Sequence, residues 1–331
     1  ATGALFGALV AASGFGRLAL GRHLRPAPAA WHAGAATLGP LAILAALYGR
    51  VTTFDASVPF GLVAGCLAVV FAAVAGAFAH RDAAAPAAPL RLGLGAAAAA
   101  SVAALALGLA IVLDKGALTV ALALAALGTA IVADRTGVPA LRWAVGALGL
   151  AVAGRLAWNP AVTGGEIGTT PILNWLLWGY GVPALAFGAS AVILARRGRD
   201  RTVRFVEGLA LVFATLLVFL ETRHALHAGD PFAERSDHLE AGLATTEALG
   251  FSLLLIRLDL RRGDVLYRTA ALVFGLAALV GAVIGLGVVH NPLLTSDPVL
   301  GGAIANSLVP AYLLPALLAG AVALAARGSR P

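Results

Sequence analysis

A chain of 331 residues that is 60% hydrophobic and only 12% charged, with a mean hydropathy of +0.92, has too little polar surface for a soluble domain and belongs in a membrane. Its formal net charge of +7 resides in basic residues that fall in alternate loops, where orientation in the bilayer accounts for them, so it is no sign of a nucleic-acid partner. The single Cys66 excludes an intramolecular disulfide and any cysteine-based metal site.

A transmembrane helix needs roughly 20 apolar residues to cross about 30 Å of hydrocarbon. Eleven stretches meet that measure: 2–20, 29–48, 59–79, 92–113, 117–133, 141–158, 171–195, 203–220, 239–257, 267–288 and 299–326. Cys66 lies within the third and is expected to be an inert, packed thiol. The segment 80–89, HRDAAAPAAP, reads as a linker, and Asp114, Lys115 and Gly116 as a tight hairpin between the fourth and fifth spans. Small residues such as Gly146, Gly149, Gly275, Gly281, Gly301 and Gly302 let helix backbones approach closely in lipid. The expected fold is all-α, a polytopic transmembrane helical bundle.

The chain opens Ala-Thr-Gly, contains no methionine, and has no basic n-region followed by a cleavage site. The first stretch is therefore expected to be a span rather than a signal peptide, and the chain a piece of a longer protein.

Charge sets the expected orientation. Arg17, Arg22 and Arg25, then Arg81 and Arg91, Arg135 and Arg142, Arg196 to Arg204, Arg257 to Arg268, and finally Arg327 and Arg330 all fall after odd-numbered spans. The opposite loops hold Asp55, Glu166, the 221–240 segment with its acids and histidines and with Arg223 and Arg235 among them, and Asp297, and are poorer in basic residues. Basic loops stay cytoplasmic, so the C-terminus is expected in the cytoplasm and the first residue outside.

One stretch occurs twice. NPAVTGGEIGTTPILNWLLWGYGVPAL at 159–185 returns as NPLLTSDPVLGGAIANSLVPAYLLPAL at 291–317, 132 positions on. Asn159 and Pro160 recur as Asn291 and Pro292, Asn174 as Asn306, Tyr180 as Tyr312, and Pro183 as Pro315. The period holds four spans, so the copies are expected to run parallel: residues 91–202 form a first four-helix repeat and 203–331 a second. Residues 1–90 hold three further helices, a decayed third copy with VTTFDASVPFG at 51–61 in place of the Asn-Pro loop.

Within the repeated stretch, Asn-Pro stops a helix, and Gly164, Gly165 and Gly168 permit a folded loop. Asn174, Tyr180, Asn306 and Tyr312 either line polar vestibules for a ligand or satisfy backbone groups freed by the loops and prolines. Glu247 lies near the middle of the ninth span, where a carboxylate costs roughly 2.5–3.5 kcal/mol. Glu240, seven residues earlier, shares its helix face. Together they form either a proton or cation path or hydrogen-bonded acids of the bundle. Glu221, Arg223, His224 and His227 end the eighth span, His224 and His227 on one side of a helix with Glu221 a turn earlier. They are compatible with a metal site but lack the spacing of a zinc hydrolase, and the alternative is a solvated external loop with interfacial histidines and a salt-bridged cap, so no metal is expected; nor does any motif call for a cofactor. Arg155, beside Trp158, is expected to snorkel to the interface, and Arg204 to pair with Glu207.

The runs ALRWAVGALGLAVAGRLAWNP, ILNWLLWGYGVPAL and FATLLVFLETRHALH resemble the membrane region of proteins grouped as domain of unknown function 2339, multi-spanning bacterial membrane proteins. The motifs that carry the resemblance are Asn159 with Pro160, Asn174, Tyr180, Pro183, and Glu221-x-Arg223-His224, across spans two to nine. It implies a large many-span chain, often preceded by a soluble coil-forming part, and no agreed activity. Past Arg257 the second Asn-Pro copy stands where the family's closing spans are expected. The expected partners are the lipid bilayer, other membrane subunits or a preceding region of the same protein. Three roles stay open: a transporter or channel-like protein using Glu247 and Glu240, an envelope enzyme or assembly factor for lipid-linked glycans using the 221–240 loop, and a scaffold without chemistry.

Overall fold

A computed structural model describes residues 2–21, 24–113, 115–162, 166–234, 236–296, 298–302 and 304–327. Arg22, Asp114, Gly164, Gly165, Arg235, Asp297 and Arg330, named above, lie outside the described residues. The described regular structure is helical and contains no strand. In chain order it comprises α1 Thr2–Leu20, α2 Pro26–Thr52, α3 Val58–Ala84, α4 Ala88–Val112, α5 Lys115–Thr136 and α6 Pro139–Trp158. A π-helical turn, π1 Leu177–Gly181, leads into α7 Val182–Ala195, followed by α8 Arg201–Leu226, α9 His238–Arg262 and α10 Val265–Val280. The last continues as π2 Gly281–Val289; a short α11 Pro292–Thr295, π3 Val309–Leu313 and α12 Leu314–Arg327 close the chain. Among the described residues, ten helical stretches are long and apolar enough to cross a membrane, and Leu5–Leu20 is an apolar helix of lesser length.

Local chemistry sets many boundaries. Prolines in the first turn start α2, α3, α4 and α6, where the missing N–H has no helical partner to lose. Asp237 caps α9 by accepting from the Glu240 amide, and Gly263 ends it in the left-handed region.

Four sequence expectations need correction. The seventh and eleventh spans, expected from 171 and 299, become helical only at Trp175 and Leu308, because Asn174 and Asn306 turn their side chains onto the amides two residues ahead. The expected linker is mostly helix: α3 runs to Ala84 and α4 starts at Ala88, and Asp82 closes the turn between them on the Ala87 amide and Arg91. Cys66 is exposed; the buried stripe of α3 is Ala64, Ala68, Phe71, Ala75 and Phe78, at helical spacing, and position 66 falls off it. Glu207 bonds Arg199 at 2.6 Å, from the loop rather than from Arg204 on its own helix.

The chain divides into two compact units, residues 1–165 with 178–210, and 166–177 with 211–331. In the first, α3 packs along α4, and α5 on α6 and α7. Phe15 meets the rings of Phe71 and Phe78, while the Ser101 hydroxyl donates to the Ala68 carbonyl at 2.8 Å. The α5–α6 turn and the α7–α8 loop meet at one end of this unit: Arg142 pairs with Asp200 at 2.7 Å, and Arg197 with Asp134 at 3.3 Å. Burial tends to push the Asp200 carboxyl up, but the Val203 amide and Arg142 guanidinium outweigh it and hold the group below its usual range. Arg155 reaches Thr119 at 3.4 Å.

The second unit is built on α9, which packs against α10, π2, π3 and α12. Gly242 is required here: a Cβ at that position would lie 2.3 Å from the Ala311 Cα, so α9 and π3 touch backbone to backbone. The far end of α12, Val322 and Ala326, lines a cavity with Ile256 and Asp259 of α9, so the two helices run parallel. One end of this unit therefore carries Arg257, Arg261, Arg262, Arg268 and Arg327; the other carries Glu240, the end of α8 and the Asn291-Pro292 loop.

Candidate functional site

The site grows from the two loop entries. Asn174 Oδ1 accepts from the Leu176 amide at 2.7 Å, and Asn306 Oδ1 from the Leu308 amide at 3.1 Å. Trp175 N–H returns to the Ile167 carbonyl at 2.9 Å, and Ser307 N–H to the Leu300 carbonyl at 2.8 Å. Each asparagine thus supplies an acceptor for an amide that starts a helix, as a capping side chain does. In the first unit Tyr180, fully buried, accepts from the Val162 amide at 3.0 Å and donates to the Pro160 carbonyl, fastening the Asn-Pro corner. Tyr312 donates to the Leu286 carbonyl at 3.0 Å.

Side chains at the α8 end sort onto two partners. Glu221 Oε2 accepts from Asn174 Nδ2 at 3.0 Å and from the Ile172 amide at 3.2 Å; Ile172 stands at φ +67°, a strained left-handed position for a β-branched residue. His224, only 1% exposed, places Nε2 at 2.8 Å from the Gly168 carbonyl, and an oxygen that can only accept fixes that nitrogen as the donor. Its Nδ1 is buried with no hydrogen-bond partner among the described residues. Glu221 and His224 therefore hold the 166–177 loop. Arg223 and His227 instead turn to α9, Arg223 Nη1 at 2.8 Å from Glu240 Oε1 and His227 Nε2 at 2.7 Å from Glu240 Oε2. The expected grouping of Glu221, His224 and His227 on one side of a helix is thus divided between the two. Among the described residues, no three His, Cys, Asp or Glu side chains come together as a metal site.

Glu240 and Glu247 line one crevice. Its volume is about 460 Å³, and its walls come from α8 (Thr215, Phe219, Arg223), α9 (Glu240 to Phe251), α10 (Phe274, Ala277) and π2 (Gly281, Gly285), with His290 beyond. The carboxylates stand seven residues apart, roughly 10 Å along the helix, so the crevice runs from the start of α9 toward its middle. Gly281 permits its closed side: a Cβ there would lie 2.7 Å from Thr245 Oγ1. Glu247 is half-buried, and among the described residues its hydrogen-bond partner is the Thr222 hydroxyl alone. Asn174, Tyr180, Asn306 and Tyr312 are absent from the lining of this crevice.

Several contributors escape a sequence reading. Thr222, Ser307 and His238 look like ordinary span-end residues, yet His238 Nε2 lies 2.7 Å from Ser307 Oγ, buried, and ties the second loop to α9. Contacts 69 residues apart leave no periodic trace. Asp237 carries a legible signal, the Asp-x-x-Glu capping pattern ending at Glu240.

No curated protein and no solved structure matches the chain. The family match continues past the spans that carry the resemblance and past Arg257, through the second Asn-Pro copy. With its helices long enough to span a bilayer and its model matched over residues 1–331, the chain belongs to the family described as Predicted membrane protein (DUF2339).

Proposed function

We propose that this protein moves a proton or cation-coupled solute across the bacterial inner membrane, along the face of α9 that carries Glu240 and Glu247. The observation that carries the reading is their shared crevice: two acids roughly 10 Å apart along one helix, the deeper bonded to a hydroxyl. A midplane acid opening on a cavity is the arrangement that ion pathways in membranes use. A second feature supports it, since one wall is the nine-residue π2 and π-helical segments concentrate at functional sites. An envelope enzyme has weaker support: Glu221 and His224 hold loop backbone and His227 holds Glu240, and their unpartnered atoms, Glu221 Oε1 and His224 Nδ1, are buried rather than open to a surface reaction.

The four-helix repeat belongs to the same proposal. Supporting it, π1 with α7 and π3 with α12 have identical lengths, 5 and 14 residues, and begin 132 positions apart. Upstream, α4 (25 residues) and α8 (26) correspond, as do α5 (22) and α9 (25). The second copy is longer by its 227–237 loop and by π2, and both contribute to the crevice, through Ser236 and through Gly281 and Gly285.

Glu247→Cys in a Cys66→Ala background tests the path, the exposed Cys66 being removed to avoid competing reaction. The expected result is labelling by a membrane-impermeant maleimide added to intact spheroplasts, blocked when the reagent is quenched first. A folded, inserted variant that stays unlabelled from either side of the membrane overturns the aqueous path.

A further inference from the structure

We infer that the crevice beside Glu247 binds an organic cation: an ammonium or similar delocalised positive group on an apolar body. The inference rests on the reading of this crevice as the transport path and names what occupies it.

Charge compensation comes first. Three formally ionisable side chains of α8 and α9 line the crevice, Arg223, Glu240 and Glu247. Arg223 and Glu240 neutralise one another across 2.8 Å, with His227 on the second Glu240 oxygen. Glu247 receives a hydroxyl from Thr222, which donates a hydrogen bond but no charge. With His290, which also lines the crevice, as a neutral imidazole, the crevice has one carboxylate in excess among the described residues, and an anionic guest would meet repulsion there.

The walls decide which cation. Around Glu247 stand Phe219, Phe251 and Phe274, with alanines and glycines between them; Phe251 and Phe274 stack with centroids 5.3 Å apart. Aromatic faces attract a positive group within about 6 Å, more strongly where water is displaced. Phe219 already does so for the Arg223 guanidinium, at 5.9 Å. A bare inorganic cation fits poorly: calcium takes 6–8 oxygens, and the lining near Glu247 offers the carboxylate and a few hydroxyls among carbon. About 460 Å³ falls within the roughly 300–1,000 Å³ of small-molecule sites. The larger cavity of the first unit, about 780 Å³ and walled by α3 to α6, has no ionisable side chain in its lining and so has no comparable charge to offer.

Equilibrium binding of tritiated tetraphenylphosphonium to the full chain in lipid nanodiscs tests this, with empty nanodiscs giving the partition background. The expected result is a saturable component of one site per chain, lost at least tenfold in Glu247→Gln and weakened about threefold to thirtyfold in Phe251→Leu. Tetraphenylborate, the same shape with opposite charge, should not compete. Wild-type protein with no saturable component, binding indifferent to Glu247→Gln, or equal competition by tetraphenylborate each overturns the inference. Should Glu247→Gln fail to elute as a folded species, Phe251→Leu and the tetraphenylborate comparison still decide it. Maleimide labelling at position 247 without phosphonium binding would reject the organic cation and keep an aqueous path for protons. Binding without labelling would do the reverse, leaving a site reached from lipid.

Discussion

Glu240 is 5% exposed with each carboxylate oxygen engaged, one by Arg223 and one by His227, and its own amide caps onto Asp237. Removing one member of a buried ion pair leaves the other charge uncompensated, at about 3–5 kcal/mol. Arg223→Ala and Glu240→Ala are each expected to lose that much stability in thermal unfolding of the purified protein in detergent, and the double variant less than their sum. Single variants within about 0.5 kcal/mol of wild type would show that the pair is solvated and contributes little. That Glu240 and Glu247 share a face is legible from their seven-residue separation, because helical periodicity fixes it. Arg223 and His227 as the partners of Glu240 are not legible. The same periodicity groups His227 with His224 and Glu221, and only the direction of the neighbouring helix and loop divides them.

At the scale of elements, the hydropathy runs mark the helices well, and their physical basis is plain: a bilayer demands long apolar stretches with backbone satisfied internally. They do not mark where α7 and α12 begin, nor that π1 and π3 precede them. A π turn differs from an α turn by one hydrogen-bond register, and Leu, Gly, Ala and Val supply the same apolar signal in either. The paired tyrosines sit in those turns yet differ in burial, Tyr180 fully enclosed and Tyr312 partly exposed. Tyr180→Phe removes a hydroxyl that serves both the Val162 amide and the Pro160 carbonyl and should cost about 1–3 kcal/mol. Tyr312→Phe removes one bond, to the Leu286 carbonyl, and should cost about 0.5–1.5 kcal/mol. Melting of the two variants side by side checks the order. A larger loss at Tyr312 would mean that the second copy, with its π2 wall, depends more on this anchor than burial indicates.

At the scale of the whole molecule, the proposed orientation rests on charge that each unit gathers at one end. In the first unit, the α5–α6 turn and α7–α8 loop bring Arg142, Arg196 and Arg197 together with Asp134 and Asp200. Helix α6 then carries Trp143 near that end and Trp158 at the other, 72% and 92% exposed and roughly 22 Å apart along the helix, where interfacial tryptophans belong. In the second unit, the arginines of α9 and α12 lie at the end opposite Glu240. A bias of Lys and Arg in short loops directs those loops to the cytoplasm, so the Asn-Pro loops and the mouth of the crevice should face outward. Arg201→Cys and Leu293→Cys, each in Cys66→Ala, report the two ends; Leu293 is 92% exposed, so cysteine there loses little packing. An impermeant maleimide should label position 293 in intact spheroplasts and position 201 only in inverted vesicles. Labelling of both from one side would break the alternation of α8, α9 and α10 between them, on which the proposed parallel repeat depends. The reverse pattern would keep the spans and place the mouth of the crevice in the cytoplasm, turning the path end for end.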